Sequence, residues 1–199
     1  LLDKLDVWQG KITQADLDIT DPDDLHAQMG MGRGQILVGS HLGNLEVCRA
    51  LAEKSGLLKL NVLVHTKHAV HFGRLLDEAG GGLRMIQVSE LDAGVMLDLA
   101  QRLDRGEWLA IAGDRVPLTG NRSTQVDLLG AAALLPQGPW LLAGLLRCPV
   151  NLLFCTRQGA RYRVAMERLC DGIEWTRATR QSQTVSYTHL RAHETRGNL

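Results

Sequence analysis

The sequence lacks any long hydrophobic run. Its apolar stretches are short and broken by Gly, Pro or Arg, as at Leu141–Leu146, which Arg147 follows. A membrane-spanning helix needs about 18 or more consecutive apolar residues, so none is predicted within the chain. Any contact with a membrane is therefore expected at its surface, or through a segment that is absent here.

The chain also lacks a net charge and paired cysteines. Lys plus Arg and Asp plus Glu number 22 each, whereas a nucleic-acid-binding protein usually carries a basic excess. The cysteines at 48, 148, 155 and 170 are widely spaced without a Cys-x-x-Cys motif, so neither a zinc site nor a disulfide framework is predicted. No signal peptide is recognisable, and a reducing cytoplasm is the default expectation.

Both ends of the sequence are unusual. The chain begins at Leu1, so we expect a missing N-terminal portion, and from about Val185 onward it has no apolar periodicity. This tail resembles a translated sequencing-adapter read-through, so residues 185–199 are predicted to be non-native and their histidines to take no part in a site. Residues 1–184 are predicted to be a fragment of a single domain, because the length suits one α/β domain.

Strand-like and helix-like patterns alternate over the first half of the chain. The predicted strands are Gln35–Gly39, Leu58–His65, Leu83–Val88 and Glu107–Ala112. The predicted helices between them are Asn44–Lys54, His68–Ala79 and Asp92–Arg105. This alternation predicts an α/β fold with a largely parallel central sheet and helices on both faces.

The alternation breaks after Gly113. Residues 114–124 are polar, contain Pro and Gly, and are predicted to form a long loop. Two short apolar stretches, 125–129 and 131–135, fit either helix or strand. The remaining predicted elements are a helix at Gln137–Leu146, a buried strand at Val150–Thr156 and a hairpin partner at Arg161–Glu167.

The most informative segment joins the first predicted strand to its helix and reads His41-Leu42-Gly43-Asn44-Leu45-Glu46. Ligands of open α/β sheets bind at the carboxyl ends of the strands, so His41 is predicted to lie at a binding edge. The Glu46 carboxylate can fold back onto one imidazole nitrogen and fix the tautomer. The other nitrogen would then be free to take a proton from a hydroxyl.

A His-x4-Glu motif in an α/β chain resembles the glycerolipid and lysophospholipid acyltransferase superfamily, and this segment is similar to its lipid A biosynthesis branch. Three later blocks resemble that branch in the same order, at residues 112–117, 134–139 and 148–150. The resemblance runs from about residue 34 to 170. More narrowly, the chain looks like the acyltransferases encoded with aryl-polyene pigment pathways.

The resemblance implies transfer of a fatty acyl group from acyl carrier protein or acyl coenzyme A to a lipid or glycolipid hydroxyl, without a cofactor. Backbone N–H groups near Gly43, or a basic side chain, would stabilise the oxyanion. The catalytic residues would be His41 and Glu46, and the substrate-binding residues would be Asn44, Asp114, Arg115 and Arg122. The resemblance also implies a membrane-associated protein at the cytoplasmic face of the inner membrane, either peripheral or anchored by a missing N-terminal segment.

Three other functions fit single features of the sequence. His65, His68 and His71, with Asp114, would suit a metal-dependent α/β hydrolase, but polar positions at a strand end and on a helix face explain them better. A serine hydrolase is disfavoured, because Ser40 does not lie in a Gly-x-Ser-x-Gly elbow. A catalytically inert domain that binds lipid or an acylated carrier is the remaining alternative.

Overall fold

The computed structural model describes residues 6, 9–45, 47–48, 59–65, 83–116 and 122–174. The strands are β1 Leu17–Thr20, β2 Ile36–Gly43, β3 Leu60–Val64, β4 Leu83–Gln87, β5 Trp108–Ala112, β6 Ser123–Leu128, β7 Ala131–Pro136, β8 Val150–Gln158 and β9 Arg161–Cys170. The helices are α1 Leu25–Gln28, α2 Ala93–Asp104 and α3 Gly138–Leu146. In this part of the chain, no helix is both long and apolar enough to cross a membrane.

Seven of these strands form one main sheet in the order β1-β9-β8-β2-β5-β3-β4. The five strands from β8 to β4 run parallel to one another. Strand β9 runs antiparallel to β8, and β1 runs parallel to β9. The prediction of a largely parallel sheet is confirmed, with a mixed edge that the β8–β9 hairpin creates.

Two cores lie on opposite faces of this sheet, as the side-chain alternation of β2 shows. Ile36 and Val38 belong to one core, together with buried side chains of α2 and α3. Leu37 belongs to the other core, with Leu25 of α1 and Val47. The helices predicted at residues 44–54 and 68–79 lie mostly outside the described residues, so the coverage of both faces by helices remains a prediction.

A buried polar network joins α1, β2, β8 and β9 at the amino ends of the parallel strands. The Arg168 guanidinium donates to Asn151 Oδ1 at 2.7 Å, Gln35 Oε1 at 2.9 Å and Gln28 Oε1 at 3.0 Å. The Asn151 amide also donates to Gln35 Oε1 at 2.9 Å. Because hydrogen bonds to charged groups stabilise by roughly 1.5–3 kcal/mol each, this edge contributes to stability.

The position of α3 shows which edge its N-terminus faces. Arg33, just before β2, donates to the carbonyl oxygens of Leu146 and Arg147 at 2.9 and 2.8 Å. The C-terminus of α3 therefore lies at the amino edge of the sheet. Its N-terminus, and the β6–β7 hairpin that precedes it, lie towards the carboxyl edge.

The ambiguous apolar stretches form the β6–β7 hairpin, which is separate from the main sheet. Its register runs from Ser123 opposite Pro136 to Leu128 opposite Ala131. The two connecting residues have positive φ angles, +56° at Leu129 and +82° at Gly130, as in a type I′ turn. Val126 and Leu135 are buried on its inner face.

Candidate active site

The candidate site lies where β2 and β5, neighbours in the sheet, reach its carboxyl edge. From the end of β2 the chain continues to β3, which lies on the far side of β5. From the end of β5 it continues, through the β6–β7 hairpin and α3, to β8 on the far side of β2. In α/β sheets such a reversal opens a ligand-binding crevice. His41 lies near the end of β2, and Asp114 lies two residues beyond β5.

A bulge at the end of β2 displaces His41 from regular pairing. Gly39 lies opposite Leu153 of β8, and Gly43 lies opposite Cys155. Four residues along β2 therefore correspond to only two residues along β8. The extra residues leave the ladder, a device that reorients side chains next to functional sites. The His41 side chain is 47% exposed as a result.

Main-chain hydrogen bonds hold the turn that follows. The Asn44 N–H donates to the carbonyl oxygen of Cys155 at 2.7 Å, and the Gly113 N–H donates to that of Gly39 at 2.9 Å. Gly43 has φ +91°, a left-handed conformation that glycine adopts without steric cost. The backbone around His41 is thereby fixed to both neighbouring strands.

The Asp114 carboxylate contacts His41 at two points. Oδ2 accepts a hydrogen bond from the His41 backbone N–H at 2.8 Å, and Oδ1 lies 3.0 Å from the ring Nδ1. Because a charged carboxylate only accepts hydrogen bonds, Nδ1 must carry the hydrogen. The lone pair of the neutral ring is then on Nε2, where it can receive a proton.

The pKa of the Asp114 carboxyl lies below its ordinary value. Burial by itself would raise this pKa, but hydrogen bonds from the ring and backbone N–H of His41 outweigh burial and lower it. A carboxyl with a lowered pKa stabilises the fold above the pKa of a free aspartate, and this contribution is lost as the pH falls through the folded-state value. Asp114 is therefore a carboxylate at neutral pH.

The structure brings His41 and Asp114 together, but it pairs neither predicted arginine with an acid among the residues that it describes. Arg115 and Arg122 are exposed, and neither forms an ion pair with another described residue. Asn44 lies at the turn, and Glu46 falls outside the described residues. The sequence analysis placed Asp114 among the substrate-binding residues; its contact with His41 was missed, because only the adjacency of β2 and β5 reveals it.

The residues of the rival functions occupy different positions. His65 is exposed at the end of β3, whereas His68 and His71 fall outside the described residues. Within the described part of the chain, no cluster of three or more His, Cys, Asp or Glu side chains could hold a metal ion. Ser40 is buried, and its Oγ accepts a hydrogen bond from the Leu42 N–H at 3.3 Å.

The cysteines are all free thiols, and two of them pack beneath the turn. The hydrogen bond of the Cys48 thiol to Cys155, together with burial, raises the pKa of Cys48 well above its ordinary value. Burial raises the pKa of Cys148 to about 12. Thiols with raised pKa values are poor nucleophiles at neutral pH, so Cys48 and Cys148 are structural.

Replacing Gly43 by alanine is expected to destabilise the fold by about 3 kcal/mol, because it combines a left-handed φ with a steric overlap. A Cβ atom at Gly43 would overlap the carbonyl oxygen of Cys155. Gly130 is the matched control, since its φ is +82° but nothing lies within 4 Å of its Cβ position. Thermal unfolding should show a melting temperature lower by about 10 °C for Gly43→Ala. An equal loss of melting temperature in Gly43→Ala and Gly130→Ala would show that the steric overlap at Gly43 does not contribute.

Fold and site together define an α/β protein with a carboxylate-oriented histidine at the carboxyl edge of its sheet. A family model for the bacterial lipid A biosynthesis acyltransferases matches residues 2–172. The chain belongs to this family, which confirms the resemblance found around His41, and family membership indicates an acyltransferase. A comparison with curated proteins finds no match.

Proposed function

We propose that the protein transfers a fatty acyl group from an acyl carrier protein or coenzyme A thioester to a hydroxyl of a lipid or glycolipid. His41 is the general base of this reaction. Because the acceptor is a lipid, the protein works at a membrane surface. This surface is the cytoplasmic face of the inner membrane. The reaction needs no metal or cofactor, because the thioester is already activated.

One observation carries this proposal: the His41 ring has a carboxylate on Nδ1, and its side chain is 47% exposed. The Nδ1–Oδ1 distance of 3.0 Å and the 2.8 Å bond to the backbone N–H fix both the ring and its tautomer. A positioned general base contributes about 10²–10⁴-fold to rate. This is the activation that a hydroxyl needs before it can attack a thioester.

The reaction proceeds by direct transfer. Nε2 of His41 accepts the proton of the acceptor hydroxyl while the oxygen attacks the thioester carbonyl carbon. The tetrahedral intermediate collapses, the carbon–sulfur bond breaks, and the leaving thiolate takes the proton back from Nε2. The products are an ester and a free thiol, and Asp114 stays ionised throughout as the partner of the Nδ1–H.

The negative charge of the tetrahedral intermediate needs a donor that is not already engaged. The N–H groups of Leu42 and Asn44 already donate to Ser40 Oγ and to the Cys155 carbonyl. This favours Arg115, which follows Asp114 directly, for contact with the oxyanion or a substrate phosphate. Glu46 keeps the catalytic role that the His-x4-Glu motif predicts for it, and Arg122 and Asn44 are further predicted substrate contacts.

The test supplies the protein with labelled acyl carrier protein or labelled acyl coenzyme A and a bacterial lipid extract. Label should pass into lipid from at least one of the two donors, and the labelled product identifies the acceptor. Retention of all label on the donors, by protein shown to be folded, would reject acyl transfer. Binding of lipid or acylated carrier without turnover would then support the inert binding domain.

A further inference from the structure

The β6–β7 hairpin carries two exposed leucines, and the face of Leu134 also carries the exposed polar residues Gln125 and Asp127. Leu129 at its tip is 60% exposed and Leu134 on β7 is 56% exposed. Ala131 and Ala132, between them, are exposed as well. The inner face already buries Val126 and Leu135, so the outer leucines are not needed for the hairpin's own core.

The tip residue is unsuited to its backbone conformation. Leu129 has φ +56°, in the left-handed region that disfavours residues with a Cβ atom. Asn and Gly are the residues that type I′ turns prefer at this position. A leucine that neither suits the turn nor packs into a core points to a contact outside the chain.

This hairpin lies at the same edge of the sheet as His41. Its base is closed by a hydrogen bond from the Gln137 N–H to the Arg122 carbonyl oxygen at 2.9 Å, directly before the N-terminus of α3. Leu42, beside His41, is also an exposed leucine. Exposed apolar side chains therefore occur on the edge of the sheet that carries the candidate base.

The charges at this edge complement an anionic surface. Arg115 and Arg122 lie on the segment between β5 and the hairpin, and both are exposed. The hairpin carries one acid, Asp127, whose carboxylate accepts the Gly130 N–H at 3.0 Å within the turn. Exposed apolar side chains beside cations are the combination by which peripheral proteins bind anionic lipid surfaces.

We propose that the β6–β7 hairpin docks the His41 edge onto an anionic lipid surface. Leu129 and Leu134 enter the interfacial layer, while Arg122, at the base of the hairpin, faces the lipid headgroups. This inference rests on the proposed function, because the acyl acceptor is delivered from that surface. It adds the surface by which the protein reaches its acceptor.

The test measures co-sedimentation with vesicles of phosphatidylethanolamine and phosphatidylglycerol, using the Leu129→Asn/Leu134→Gln double variant. Asparagine suits the left-handed tip, so the double variant should keep or raise the melting temperature while vesicle affinity falls about tenfold. Leu145→Gln is the matched control, because Leu145 is 58% exposed but lies near the C-terminus of α3 at the opposite edge. It should bind as the wild type does.

Several results would overturn the docking surface: no binding by the wild type, unchanged binding by the double variant, or an equal loss in Leu145→Gln. Loss of binding to an acidic carrier protein, with vesicle binding unchanged, would instead assign the hairpin to that protein partner. His41→Ala should bind vesicles normally, and the double variant should acylate detergent-dispersed acceptor normally. Failure of acyl transfer with intact vesicle binding would therefore reject the function and leave the surface standing.

Discussion

Replacing His41 by alanine is expected to lower kcat for acyl transfer by about 10³-fold or more, the upper part of the range for a positioned general base. Among the described residues at this edge, the His41 imidazole combines a fixed tautomer with a lone pair on Nε2, and alanine supplies no proton acceptor. KM should change little, because the ring contacts the reacting hydroxyl rather than the acyl chain. Labelled acyl transfer under saturating donor measures this directly.

His65→Ala is the matched control for this variant. His65 is also an exposed histidine, at the carboxyl end of β3, but it has no part in the proposed chemistry. It should retain full activity, and both variants should keep the melting temperature of the wild type. Near-normal turnover by folded His41→Ala would remove the histidine from the mechanism, whereas inactivity of His65→Ala would revive the metal hypothesis.

Replacing Asp114 by asparagine is expected to lower kcat by roughly 10²–10⁴-fold, as loss of the orienting carboxylate does in Ser-His-Asp enzymes. An asparagine amide can donate to Nδ1, which moves the hydrogen to Nε2 and leaves no lone pair facing the hydroxyl. The backbone N–H of His41 can still bond the amide oxygen, so the turn should survive. The measurement is kcat and KM together with the melting temperature.

The pH dependence of kcat separates the proposed positioning role of Asp114 from a merely structural one. The lowered pKa of Asp114 keeps its carboxylate charged down to about the pKa of a free aspartate, near 3.9, and below. Wild-type activity should therefore show no loss above pH 5 from this group, and Asp114→Glu should recover part of kcat. Glu46→Gln is the decisive comparison: full activity in Asp114→Asn with none in Glu46→Gln would make Glu46 the orienting carboxylate.

The strands and the site histidine were predictable because their signals are local. Short apolar runs bounded by Gly placed β2, β3, β4 and β5 to within a few residues, since buried strands must be apolar. The position of His41 followed from its place at the end of such a run. The partner of His41 was not predictable, because Asp114 lies 73 residues away and only the strand order brings it close.

The β6–β7 hairpin shows a second limit of sequence-based prediction. Its residues alternate poorly, since Ala131, Ala132 and Leu134 are apolar yet exposed. Its turn is Leu129–Gly130, which lacks the Asn-Gly or Asp-Gly signature of a two-residue hairpin. If the hairpin docks on a lipid surface as proposed, its exposed apolar residues serve that contact, and they need not follow the pattern of a strand that packs only within its own chain.

The backbone contacts around His41 bear on how this scaffold can diversify. Two hydrogen bonds hold this backbone, and both involve main-chain atoms alone. One runs from the Asn44 N–H to the Cys155 carbonyl, and the other from the Gly113 N–H to the Gly39 carbonyl. Side chains at the crevice, such as Leu42, can therefore change in size without releasing the base from its position. Under the proposed mechanism, acceptor preference and proton transfer are then separately adjustable, so new specificities can arise on this edge while the reaction stays intact.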